Sequence, residues 1–263
     1  MKNLTILAFG LILLISGISL AFHDYLYTYE WTGQNFFEKS LVLNGHFTYM
    51  KPGTNILFPV EVGFAIDKLW SASVVIPIEK LDIPDNAFGI SNIWVKGKFI
   101  PMLGPNISIG PRFAFRLPVG STDHYTKAFG MDFAGLIRMG YVEDFPMVIS
   151  AQTGLRLELE KDNLKLPSYF YFVCEPGFKV NWRLTTYGVL GFAIPVAKGK
   201  RASGTGTEEY DGAKDMWFGG KMTMKLSPSL TADGMFQYRI WKYAEGAPKS
   251  WFVGFGVTAN IHF

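Results

Sequence analysis

Apolar residues recur at every second position along most of the chain, which is the period of a strand with one apolar face. Phe58, Val60, Val62, Phe64 and Ile66 alternate with Pro59, Glu61, Gly63, Ala65 and Asp67. Ile107, Ile109, Phe113, Phe115 and Leu117 alternate with Ser108, Gly110, Arg112, Ala114 and Arg116. Phe170, Phe172, Cys174, Phe178 and Val180 oppose Tyr169, Tyr171, Glu175, Gly177 and Lys179. The pattern predicts twelve strands, near 41–50, 55–67, 69–78, 89–100, 106–117, 130–141, 147–158, 168–180, 184–196, 216–226, 230–243 and 251–263. Helical periodicity is weak between them.

The connections differ in length. Short ones fall near 67–69, 101–105, 142–146, 181–183 and 227–229, and longer ones near 79–88, 118–129, 159–167 and 197–215, with a modest one at 244–250; the first, 51–54, is an exception. Short turns at one end and long loops at the other are the mark of a transmembrane β-barrel. The longest loop, 197–215, is Gly-rich and carries charges of both signs, as a solvated outer loop should. Arg, Lys, Asp, Glu and Gln gather opposite uniform apolar faces, which suits a barrel with lipid outside and a wet interior. Closure also pairs every backbone polar group, as hydrocarbon requires. The predicted fold is therefore all-β: a transmembrane antiparallel up-and-down β-barrel of about twelve strands over 41–263. A soluble sandwich is the alternative.

Local features refine this picture. Pro111 and Pro176 fall inside strands, where a ladder donor is lost, and predict bulges or kinks. Gly97, Gly135, Gly188 and Gly220 interrupt the outward faces. Trp70, Trp182, Tyr187, Tyr238, Trp241, Tyr243 and Trp251 lie near segment ends, where they suit interfacial girdles. Alternate positions counted back from Phe263 are apolar, resembling the terminal signal by which outer-membrane proteins reach the barrel-assembly machinery. Phe263 is the expected barrel-insertion residue, and outer-membrane lipid the expected surroundings.

The first residues break the alternation. Lys2 precedes an apolar stretch from Leu4 to Leu20, and Ser19-Leu20-Ala21 offers small residues for cleavage, so 1–21 reads as a signal peptide. A permanent anchor helix is the alternative. Residues 22–40, rich in Tyr and Phe, read as a lead-in, a plug or an added half-strand.

Composition narrows the function classes. Only 18% of residues are charged and 16% are aromatic, which excludes a disordered chain. The formal charge is +3 with no basic run, which excludes a nucleic-acid partner. The single cysteine, Cys174, allows no intrachain disulfide.

Candidate chemistry is sparse. His23, His46, His124 and His262 have no metal-ligand spacing, and neither metal nor cofactor is expected. Gly254-Phe-Gly256-Val-Thr-Ala259 matches a dinucleotide fingerprint, but no helix can follow it. An outer-membrane lipid hydrolase using His46 or His124 is the enzymatic alternative; no Gly-x-Ser-x-Gly elbow supports it. The chain reads as a non-enzyme.

If the apolar faces look outward, the lumen receives Lys96, Lys98, Arg112, Arg116, Arg138, Arg156, Lys179, Lys221, Lys225 and Arg239. Against these ten cations stand five anions: Glu61, Asp132, Glu158, Glu175 and Asp233. Charges of one prevailing sign in a narrow channel favour counter-ions. The expected function is passive passage of small solutes with mild anion preference. Pairing of the same charges across the lumen would instead give a plugged structural or adhesion barrel.

Gly89-Ile-Ser-Asn-Ile-Trp-Val-Lys-Gly-Lys98 and Pro111-Arg-Phe-Ala-Phe-Arg-Leu-Pro-Val-Gly-Ser-Thr-Asp123 resemble the bacterial outer-membrane transporter family of the meta-pathway of phenol degradation. In that family a Gly-Asp strand precedes a strand ending in Pro-Thr-Gly-Asp. Here Ile90-Ser91 replaces the Asp step and Val119 stands where Thr is usual. The resemblance covers about a quarter of the chain. It implies a barrel that takes up small, aromatic solutes.

Overall fold

The alternating segments pair edge to edge until the first meets the last. The computed structural model describes residues 40–51, 55–67, 69–81, 87–104, 106–120, 129–142, 145–161, 165–203, 206–212, 214–242 and 251–262. The expected signal peptide 1–21, residues 22–39 and Phe263 lie outside them. So do His23, His124 and Tyr243.

Every described element is a strand. In chain order they are β1 (Ser40–Lys51), β2 (Asn55–Ala65), β3 (Trp70–Leu81), β4 (Ala87–Ile90), β5 (Ile93–Phe99), β6 (Met102–Leu103), β7 (Ile107–Leu117) and β8 (Gly130–Val142). They continue as β9 (Phe145–Glu158), β10 (Ser168–Lys179), β11 (Leu184–Ala197), β12 (Gly199–Ser203), β13 (Gly206–Tyr210), β14 (Asp215–Ser227), β15 (Leu230–Lys242) and β16 (Trp251–His262). All pairing is antiparallel, and β1 pairs both β2 and β16, so the sheet closes. β4, β5 and β6 occupy one broken position, which makes twelve positions around the ring. The all-β, twelve-strand barrel expected from the alternation is the observed fold.

The short turns at one end are held by side chains. Asp67 Oδ1 accepts from the amides of Leu69 and Trp70, both at 2.7 Å. Asn181 Oδ1 does the same for Arg183 and Leu184, at 2.8 and 3.0 Å. A short polar side chain that reaches forward to the next amides fixes a tight turn. At the other end, the loop expected over 197–215 carries the hairpin β12–β13. Its Lys200 donates to Glu160 at 2.7 Å, and that contact raises the lysine's pKa.

The two proline expectations separate. Opposite Pro111 the register slips by one residue, since Lys98 pairs with Arg112 but Met102 pairs with Ile109. The extra residue sits at Ile100–Pro101. Gly110 is required there, because a Cβ would lie 2.0 Å from the Phe99 carbonyl oxygen. At Pro176 no bulge forms. The register runs through Pro176↔Ile149, and Cys174↔Leu190 and Gly177↔Tyr187 keep one alignment on the other side.

Candidate functional site

Inside the ring the polar half of each alternation converges. Lys96, Lys98, Arg112, Arg116, Arg156, Glu158 and Lys221 are all buried, and Arg138 is half-buried on the same face as buried Asp132. Their apolar neighbours point the other way. Phe113 is 39% exposed and Phe115 38%, whereas Arg112 and Arg116 on either side of them are 0% exposed. A soluble sandwich would reverse that order.

Three groups of contacts organise the interior. The first lies on β7, β8, β9 and β10. Arg112 reaches Asp132 at 2.5 Å and Gln152 at 3.2 Å, and also contacts the Tyr171 hydroxyl. That hydroxyl donates to Asp132 Oδ1 at 2.7 Å. Tyr171 can lie flat across the neighbouring strand because Gly154 stands opposite it, and a Cβ there would be 2.4 Å from the phenolic oxygen. Glycine beneath an aromatic ring thus shapes the wall.

The second group joins Arg116 and Arg156 to Glu158, with Arg156 Nε 3.5 Å from Glu158 Oε1. The Arg156 guanidinium stacks 4.4 Å from the Trp94 ring centroid and Arg116 sits 5.9 Å from it. Arginine is weakly hydrated and planar, so it suits such a face. The third group is dispersed. Lys96 pairs with Glu61 at 2.7 Å, and Ser73 Oγ donates to the same carboxylate at 2.6 Å. Lys221 meets both Glu175 oxygens at 3.1 Å. Thr223 Oγ1 donates to Asp233 at 2.6 Å.

Outside, Phe64, Val62, Phe113, Phe133, Leu155, Phe170, Leu190, Phe218, Phe236 and Phe255 form a continuous apolar belt. In water such a belt would be a liability; around a closed sheet it is the surface that lipid requires. The barrel is similar in fold to a solved outer membrane channel from Pseudomonas putida F1 (TM-score 0.65, 7% identity, 88% of this chain and 99% of that one). It is also similar to the NanC porin (TM-score 0.56, 9% identity, 82% and 98%) and the KdgM porin (TM-score 0.55, 8% identity, 84% and 99%). No family model and no curated protein matches the sequence.

The chain folds as a closed twelve-strand antiparallel β-barrel, the fold of those channels.

Within this barrel the expected lumen residues divide. Lys179 and Lys225 face solvent at strand ends, and for Arg239 the structure gives only a register position, opposite inward-facing Trp217. Two further carboxylates face inward, Glu79 and Asp215, both buried. They lie in stretches that the alternation alone assigned to loops, and β3 and β14 extend far enough to bring them inside. Among the described barrel-strand side chains that are buried or half-buried, seven cations therefore face seven anions. The ten-to-five excess expected from sequence does not hold for this set.

The girdle expectation also divides. Trp70 and Trp182 are well exposed at the short-turn end, and Tyr238 packs outside against Phe218. Tyr187 instead turns inward, over Gly177 and 5.2 Å from Lys221 Nζ. The side chains of Trp241 and Trp251 lie outside the described set. Gly254 and Gly256 are buried within β16, so the dinucleotide-like motif is ordinary strand. Cys174 is half-buried with the outward set.

Proposed function

We propose that the barrel is a passive outer-membrane channel for small solutes. One observation carries this reading: charged side chains are concentrated on the inner face of a closed ring. Burying charge is costly, and an interior built only for stability is better filled with apolar side chains. An interior lined with arginine and lysine beside carboxylates is the arrangement that conducts polar solutes. The fold likeness to channels and porins supports the same reading. Lys96, Lys98, Arg112, Arg116, Arg138, Arg156, Glu158 and Lys221 are the proposed lining, with Lys179, exposed at a strand end, proposed for the mouth.

The wall formed by Arg112, Arg116 and Arg156 supports solutes that carry a carboxylate, since guanidinium binds that group bidentately. Trp94 and Tyr171 add ring surface to the same wall, which accords with the aromatic solutes implied by the meta-pathway resemblance. Residues 1–21 as a signal peptide and Phe263 as the barrel-assembly signal complete the proposal.

Planar-bilayer recording tests it. Stepwise conductance from folded protein is the expected result. Its absence would favour a plugged structural barrel, a reading supported by the complete burial of Arg112 and Arg116.

A further inference from the structure

The inward charges balance in number but not in position. β5, β7, β8 and β9 are consecutive around the ring. On them, six cations (Lys96, Lys98, Arg112, Arg116, Arg138 and Arg156) face only two carboxylates, Asp132 and Glu158. On the other eight strands the described buried or half-buried set reverses. Five carboxylates (Glu61, Glu79, Glu175, Asp215 and Asp233) stand with one cation, Lys221. β7 and β15 lie six steps apart in a ring of twelve, so Arg112 and Arg116 occupy the wall opposite Asp233.

Local pairing does not erase this separation. Lys96 reaches Glu61 across the border between the two arcs. On the acidic side Lys221 pairs with Glu175, while Asp233 stands one ladder step away, opposite Thr223. Three acceptors on that side, Asp233 Oδ2, Gln237 Oε1 and Thr258 Oγ1, are buried and have no hydrogen-bond partner among the described residues. A buried acceptor of this kind is completed by a donor from a ligand or water. Lipid around the ring gives the walls a low dielectric, which strengthens a field directed across the lumen.

Resting on the channel reading above, we infer that the lumen selects dipolar solutes: small molecules that carry a carboxylate and an ammonium group together. The carboxylate turns to the arginine wall. The ammonium turns to Asp233 Oδ2, Gln237 Oε1 and Thr258 Oγ1, which lack a partner among the described residues. A solute with one net charge gains from one wall and loses at the other; a dipolar solute gains from both.

Swelling of proteoliposomes in iso-osmotic alanine and lactamide at neutral pH tests this. The two are isomers, but alanine is zwitterionic and lactamide neutral. Alanine is expected to drive swelling roughly threefold faster, the factor given by one weak charge contact. Asp233→Asn, or Thr258→Val should the first variant not fold, should remove most of that advantage. Equal rates for the two isomers, or an advantage untouched in a folded variant, would overturn the inference and leave the channel standing. A rate for lactate above that for alanine would overturn it too, because selection would then follow net charge. No swelling with any solute would overturn the channel reading and this inference with it.

Discussion

Arg112 and Asp132 bind each other at 2.5 Å inside the barrel, although neither stands opposite the other in the ladder. Arg112 faces Ala134, and Asp132 faces Ala114. The two alanines leave the diagonal open, and both charged side chains are wholly buried. Removal of one partner leaves the other charge inside a low-dielectric wall. Arg112→Ala should therefore destabilise the barrel by about 3–5 kcal/mol. Arg112→Ala with Asp132→Ala should cost much less than the sum of the single changes. Equilibrium urea unfolding from lipid vesicles measures both.

Tyr171 couples to this pair through the strand beneath it. Gly154→Ala would place a methyl group within the Tyr171 ring, and Gly191→Ala would do the same to Trp217, whose ring atoms lie 2.3 Å from the position of the new Cβ. Overpacking of this kind costs about 1–3 kcal/mol. Gly191→Ala should in addition shift the tryptophan emission of the folded barrel. An unchanged spectrum and unchanged stability would mean that Trp217 does not lie on that glycine.

The outward face is tested by a single change of sign. Phe113 lies in the belt, with the Phe133 ring packed edge-on at 5.9 Å. Phe113→Arg should cost ~2–4 kcal/mol if that position meets the middle of the bilayer. A soluble barrel would accept the same change with little loss. Comparison of unfolding in thick and thin lipids would show the penalty falling as the position approaches the interface.

Ion selectivity follows from the charge balance. Among the described barrel-strand side chains that are buried or half-buried, seven cations against seven anions favour only a weak preference in the wild-type channel. Arg112→Glu together with Arg116→Glu should move the reversal potential in a salt gradient toward cations. Removal of most of 197–215 should leave conductance in place, because the hairpin β12–β13 stands outside the ring. Unaltered selectivity in the double variant would remove both arginines from the conducting path.

Much of this architecture was legible because lipid and lumen impose opposite demands on alternate residues. A run such as 107–117, with phenylalanine on one parity and arginine on the other, admits one register. The same signal fades at strand ends. Glu79 and Asp215 sit where alternation gives way to loop composition, so their inward placement depends on how far β3 and β14 extend. Tyr187 departs from the girdle expectation for a related reason. Aromatics near an interface are common on both faces, and only the glycine opposite, Gly177, shows that a ring can turn inward there. The broken position β4–β5–β6 left a partial trace in sequence, since Pro111 marked the bulge but Ser91-Asn92 gave no comparable sign. The diagonal Arg112–Asp132 contact left none, because ladder partners can be read from pattern and side-chain rotamers cannot.

The seam between β1 and β16 joins the earliest strand to the latest. Until β16 has been synthesised, β1 has one bare edge and every intermediate is an open ribbon with an oily side. Such a ribbon invites intermolecular pairing. Closure therefore waits for β16, and the ribbon has to be kept from other chains until that seam is made.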